Sequence, residues 1–85
     1  MSQKSAAPSI PDMRVRIDEI DAAIIKLWQE RTDLSRQIGV VRLAAGGTRL
    51  VLSREAEILE RFREALGDDG AQLALLLLRS GRGPL

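Results

Sequence analysis

From Ile10 to Ala45 the apolar residues of this 85-residue chain recur at alternating steps of three and four. The series runs Ile10, Met13, Ile17, Ile20, Ile24, Leu27, then Leu34, Ile38, Val41 and Ala45, with Arg31 at the one position where an apolar residue is due. Only an α-helix brings residues with that spacing to one face, and the alternation makes a heptad-like seam. Ser9 precedes the series as an N-cap, with Pro11 in the first turn and Asp12 at the third helical position. Gly39 alone does not stop a helix, whereas Gly46-Gly47 does. The spacing therefore predicts a helix of roughly 35 residues, about 50 Å long at 1.5 Å per residue.

Two shorter helices follow from the same rules. Thr48 to Leu52 reads as a connector, and Ser53 as the N-cap of a second helix with Glu55 in its first turn, where the helix dipole favours an acid. Its apolar face is expected at Ala56, Leu59, Phe62 or Arg63, and Leu66, with Glu57 and Arg61 as an exposed pair. Gly67-Asp68-Asp69-Gly70 reads as a turn, with Asp69 capping a third helix and Gln72 completing the box. That helix, ending at Ser80, contains LALLLL and is apolar nearly all round, so burial is expected. The tail from Gly81 to Leu85 is not expected to continue it. No segment alternates with period two. The fold class is thus all-α, with one long and two short helices.

The two short helices reach about 40 Å at most and cannot cover the seam from end to end. A second copy of the chain is the simplest cover, which predicts an intertwined helical homodimer with a two-fold interface. Residues 1–8 are small and polar and are expected to form a disordered tail, leaving 9–85 as a single domain.

Composition narrows the function. The 13 Lys and Arg balance 12 Asp and Glu, and only Trp28 and Phe62 are aromatic. Neither fits a nucleic-acid module, which carries a basic excess or a stacking platform. Cysteine and histidine are absent, so the common zinc ligands and the usual general base are missing; no acidic cluster has calcium-loop spacing, and no metal or cofactor is expected. The start MSQKSAAPSIP lacks the apolar core of a signal peptide. The longest apolar run, Leu73 to Leu78, is far too short to span a bilayer. A cytoplasmic protein without membrane contact is expected.

The polar residues on the seam carry the functional argument. Arg31 occupies a seam position, Ser35 lies one turn on, and Arg42, eleven residues from Arg31, faces the same way about 16 Å further along. Two arginines turned inward without acids on their stripe fit an anionic ligand, because unpaired buried charge is costly. Equally, Arg31 fits an arginine that reaches solvent or pairs with a glutamate of another helix. Arg54 and Glu55 open the second helix beside the same stripe, where cap electrostatics also account for them. Arg14 lies about 25 Å from Arg31 along the helix. It cannot reach the same small ligand within one chain, although a partner's copy can; alone it fits an ion pair with Asp18.

The ordered set of Arg14, Arg31, Arg42 and Arg54-Glu55, with the segments RIDEIDAAIIKLWQER, SRQIGVVR, GGTRLVLSREAEILER and LLLLRSGRGPL, resembles the all-helical chorismate mutases, the small actinobacterial subgroup most of all. The likeness spans about Ile10 to Leu85. It implies a homodimer with two equivalent pockets that convert chorismate to prephenate on the way to phenylalanine and tyrosine. It implies that Arg31, Arg54 and the partner chain's Arg14 hold the substrate carboxylates. Arg42 is then the cation on the ether oxygen of the breaking bond, and Glu55 the acid at the ring hydroxyl. Ser35, Thr48 and Val51 join the substrate-binding set without assigned roles. The rearrangement needs no nucleophile, proton shuttle, metal or cofactor, which suits this composition.

Two departures qualify the resemblance. Val51 stands where some members carry an acid, and the chain ends at Leu85, before the position where others set a glutamine against the ether oxygen. Both imply a weak catalyst alone, activated by docking with DAHP synthase, as in the subgroup resembled; the tail RSGRGPL is then a segment reset by that partner. Two other functions fit the same residues: an isochorismate-pyruvate lyase on the same fold, and a non-catalytic helical dimerisation module whose seam arginines set register.

Overall fold

A computed structural model describes residues 9–48 and 50–83. The expected tail 1–8, Arg49, Pro84 and Leu85 lie outside the described residues. Three helices make up the fold: α1 (Ile10–Ala44), α2 (Leu52–Leu66) and α3 (Asp68–Arg82). The long helix has the length its seam predicts, 35 residues. Ser9 is its N-cap, with the hydroxyl accepting from the Asp12 amide at 3.1 Å. The result is a rod 60 Å long and 23 Å wide, with α1 as its spine.

The caps of the other two helices differ from expectation. The chain enters α2 through Val51 in extended backbone, so Ser53 already lies inside the first turn and caps nothing. Gly67 alone reverses the chain between α2 and α3, with φ at 75°. A residue with a Cβ is strained in that conformation. Because one glycine suffices, α3 begins at once at Asp68, and Asp69 makes no capping bond. Both aspartates still lie in the first turn, where the dipole favours them.

The corner is closed tightly by a second glycine. A Cβ at Gly70 would lie 2.0 Å from the Phe62 carbonyl oxygen, so only glycine lets α3 approach α2 this closely. The core between them is Ile58, Ala74 and Leu78, flanked by Leu59 and Phe62. Ile58 is therefore a core residue that the expected face of α2 omits. Ala56 and Leu66 are exposed instead, Leu66 because its neighbour across the corner is Gly70, which has no side chain to lay over it.

α3 lies between the other two helices, packing on both. It does not enter the α1 seam. Its contacts with α1 fall at Thr32 and Ser35, on a line that also carries the half-buried Trp28 and the buried Gly39; from the seam, Arg31 reaches across to the Leu77 carbonyl. That line is displaced from the seam by one residue, about 100° around the helix. The seam stays open: Leu27 is 62% exposed and Ile38 56%. The outer face of α3 is open too, since Leu73, Leu75 and Leu76 are exposed; one chain buries only half of the LALLLL girth.

The end of α3 also departs from expectation. The helix runs through Gly81 to Arg82 and stops at Gly83. Gly81 stays helical because it packs where nothing larger fits: a Cβ there would lie 2.4 Å from the Ser35 hydroxyl oxygen. Beside it the hydroxyls of Ser80 and Thr32 share a hydrogen bond of 2.7 Å. On the surface, Arg16–Glu19, Arg54–Glu57 and Glu60–Arg63 pair at i,i+3. The expected Arg14–Asp18 and Glu57–Arg61 pairs are not among the ion pairs of the described residues; Glu57 finds its cation one residue closer, at Arg54. No helix of the described residues is long and apolar enough to cross a membrane.

Candidate active site

Where α3 settles on α1, the start of α2 faces the last turns of α1 without touching them, and a cleft of about 390 Å³ opens between them. α1 contributes Arg31, Ser35, Arg36 and Arg42; the start of α2 contributes Val51, Arg54 and Glu55; the end of α3 contributes Arg82. The volume suits a small organic ligand. Among the described residues the lining holds five arginines and a single carboxylate. Such an imbalance in a concave, partly apolar site favours an anion.

Arg31 anchors the floor. It is half-buried, and its guanidinium donates a long bond of 3.4 Å to the Leu77 carbonyl. Burial pushes its pKa below the ordinary guanidinium value, and repulsion from Arg54 and Arg61 adds to this. A cation held among cations, with a carbonyl as its one hydrogen-bond partner among the described residues, is short of an anion. Glu55 is paired within the same cleft: its Oε2 accepts from Arg82 Nη1 at 2.6 Å.

Of the residues singled out from sequence, Arg31, Ser35, Arg42, Val51, Arg54 and Glu55 line this one cleft; Arg42, expected to turn inward, is exposed in the single chain because nothing among the described residues packs over the last turns of α1 on that side. Thr48 does not; its hydroxyl donates to the Leu50 carbonyl at 2.7 Å and braces the connector. Arg14 is exposed near the far end of α1 and lines neither hollow. Sequence reasoning misses Arg36 and Arg82. Arg36 lies off the seam, on the side where α3 docks, and the glycines around Arg82 place it in a tail beyond the helix. The signal that could have found Arg82 is the series Ala74, Leu78, Arg82 in steps of four, which carries the buried face of α3 past Gly81.

A second hollow of about 430 Å³ shares Arg31, Ser35 and Arg54 with the cleft and is otherwise lined by Leu27, Glu30, Leu34 and Ile38. The arginine floor is thus open towards the exposed seam.

Fold and site together define a class: a small all-helical protein with an arginine-lined cleft for an organic anion, set between a long helix and a helical hairpin. Residues 13–76 match the family model described as chorismate mutase type II. The chain is 56% identical over 80 residues to the intracellular chorismate mutase of Mycolicibacterium smegmatis, covering 94% of this chain and 77% of that protein. It is 49% identical over 85 residues to the intracellular chorismate mutase of Mycobacterium tuberculosis, covering all of this chain and 80% of that one. Among solved structures, a non-covalent complex of DAHP synthase and chorismate mutase from Corynebacterium glutamicum, with a bound transition-state analogue, superposes with a TM-score of 0.85 at 45% identity. The match covers 89% of this chain and 92% of that one. The chain belongs to the chorismate mutase type II family, and its activity is that of a chorismate mutase, an isomerase.

Proposed function

We propose that the arginine-lined cleft is where chorismate rearranges to prephenate, completed by a second copy of the chain. The observation that carries this reading is the gathering of Arg31, Arg42, Arg54 and Glu55 on one cleft from two separate helices. Arg31 and Arg54 would hold the substrate carboxylates, fixing the compact conformer in which the reacting carbons meet. Arg42 would donate to the ether oxygen as the C–O bond breaks and negative charge grows there. An arginine suits that task because it stays protonated at any ordinary pH. Glu55 would accept from the ring hydroxyl. Ser35 and Val51 would line the same space, and Thr48 would act indirectly, through the connector it braces.

The homodimer is supported by the uncovered seam. Each large aliphatic side chain there is worth about 1.5–3 kcal/mol when buried, and among the described residues the apolar side chains the single chain encloses are Ile58, Ala74, Leu77 and Leu78. A second copy laid along the seam in antiparallel sense would close the open side of the arginine floor and bring the partner chain's Arg14 to it.

DAHP synthase is the proposed protein partner, on the strength of the Corynebacterium glutamicum complex. With Val51 in place of an acid, the isolated mutase is proposed to be weak and the complex faster. A cytoplasmic location accords with the intracellular relatives. The test is turnover of chorismate and, separately, isochorismate by the full chain, with and without DAHP synthase from the same organism. Formation of prephenate that accelerates on adding the synthase is expected. Pyruvate release from isochorismate in its place would favour the lyase reading, and no turnover of either the dimerisation module.

A further inference from the structure

We infer that Arg82 is a positioning residue for Glu55, keeping that carboxylate away from the arginines that bind substrate. The inference rests on the reading of the site just given, in which Glu55 meets the substrate hydroxyl. Arg82 Nη1 and Glu55 Oε2 are 2.6 Å apart, with side chains 24% and 19% exposed. A charge-assisted bond of that length belongs to the strong class. The other ion pairs among the described residues join exposed neighbours three positions apart on one helix. This one joins residues 27 positions apart, on α2 and α3.

The surroundings explain why such a pair is needed. Among the described residues, Glu55 is the one carboxylate of a cleft that also holds Arg31, Arg36, Arg42 and Arg54. Left to itself, its charge would be drawn to one of them. That pairing would cancel a positive charge the dianion requires, and substrate would have to break it in order to bind. Arg82 gives Glu55 a cation of its own. Its bond is to Oε2, and Oε1 has no hydrogen-bond partner among the described residues, so one oxygen remains for a hydroxyl donor.

Arg82 is brought there by the packing of the last α3 turn. The Ser80–Thr32 hydrogen bond and the close approach of Gly81 to Ser35 seat that turn on α1. Arg82 thus enters the cleft as part of a docked helix.

The experiment is steady-state kinetics of chorismate turnover by the full chain and by Arg82→Gln, Arg82→Lys, Glu55→Gln and the Glu55→Gln/Arg82→Gln double variant. Arg79→Ala removes the same charge from an exposed position one turn earlier on α3. Loss of Arg82 should raise KM roughly tenfold or more, the size of a charge-assisted hydrogen bond. Arg82→Lys should restore part of it, and Arg79→Ala should leave KM unchanged. In the double variant KM should fall back towards wild type while kcat stays that of Glu55→Gln, because no free carboxylate remains to occupy the substrate arginines. A merely loosened helix cannot be repaired by a second substitution on α2. A KM that stays raised in the double variant overturns the inference, since Arg82 then binds substrate directly. So does an unchanged KM in Arg82→Gln, or, if that variant does not fold, no difference between Arg82→Lys and wild type. Wild-type kinetics in Glu55→Gln overturn both the inference and the role of Glu55; a loss there without coupling to Arg82 overturns the inference alone.

Discussion

Ser35 and Gly81 touch where α3 crosses α1, so closely that a single added carbon at Gly81 would fall 2.4 Å from the serine oxygen and 2.7 Å from its Cβ. The contact lies on the wall of the cleft. It sets the height of α3 above the arginine floor and, through the next residue, the place of Arg82.

Gly81→Ala should therefore push the end of α3 off α1. Overpacking of this kind costs about 1–3 kcal/mol, read as a lower midpoint in urea. Turnover should fall at the same time. A variant of unchanged stability and activity would mean that the crossing relaxes freely, against the packing described.

Arg31→Met should abolish turnover without harming the fold. The guanidinium is held below its ordinary pKa by burial first and by Arg54 and Arg61 second. A cation whose folded pKa is lowered opposes folding while it is charged, which is the case at every ordinary pH; that penalty fades only as pH rises through the lowered folded pKa. The substitution keeps the volume and removes the penalty, so the thermal midpoint should hold or rise. A large drop in that midpoint would show that Arg31 stabilises the empty protein.

Arg42 separates charge from packing. Arg42→Lys should keep part of the rate, since a cation remains near the ether oxygen, and Arg42→Ala very little. One lost donor of this type costs about 2.7–4 kcal/mol in the barrier, a factor of roughly 10²–10³ in kcat. Equal rates for lysine and alanine would deny Arg42 its proposed role.

The exposed seam gives a test of assembly. Ile24 is 57% exposed in the single chain and would be covered in the proposed dimer. Ile24→Glu places a charge there whose burial is strongly unfavourable. Sedimentation should show dissociation at micromolar concentration, with loss of turnover, although Ile24 lines no part of the cleft. A monomeric wild type, or a dimer indifferent to this charge, would sink the two-copy site.

Some of this was legible from the residues alone, for physical reasons. The alternating three-and-four spacing has one helical solution, so the length of α1 and its Ser9 cap could be read directly. The arginine stripe was legible because a guanidinium at an apolar position is costly and asks for an explanation. Which side of α1 receives α3 was not. Thr32 and Ser35 do not stand out in a pattern that counts apolar side chains, and Trp28 falls one residue off the seam. Thr32 and Ser35 matter because they are small enough for α3 to come near.

The chain itself determined the three helices, the open apolar seam and the half-buried Arg31 upon it, since each follows from local spacing and the cost of exposing or burying a group. Tertiary structure decided that α3 takes the flank of α1 and leaves the seam free, that Ile58 is core and Leu66 is not, and that Arg82 belongs to the cleft. These depend on how closely backbones can approach at Gly70 and Gly81. Such distances are set by residues far apart in the chain, and no local pattern records them.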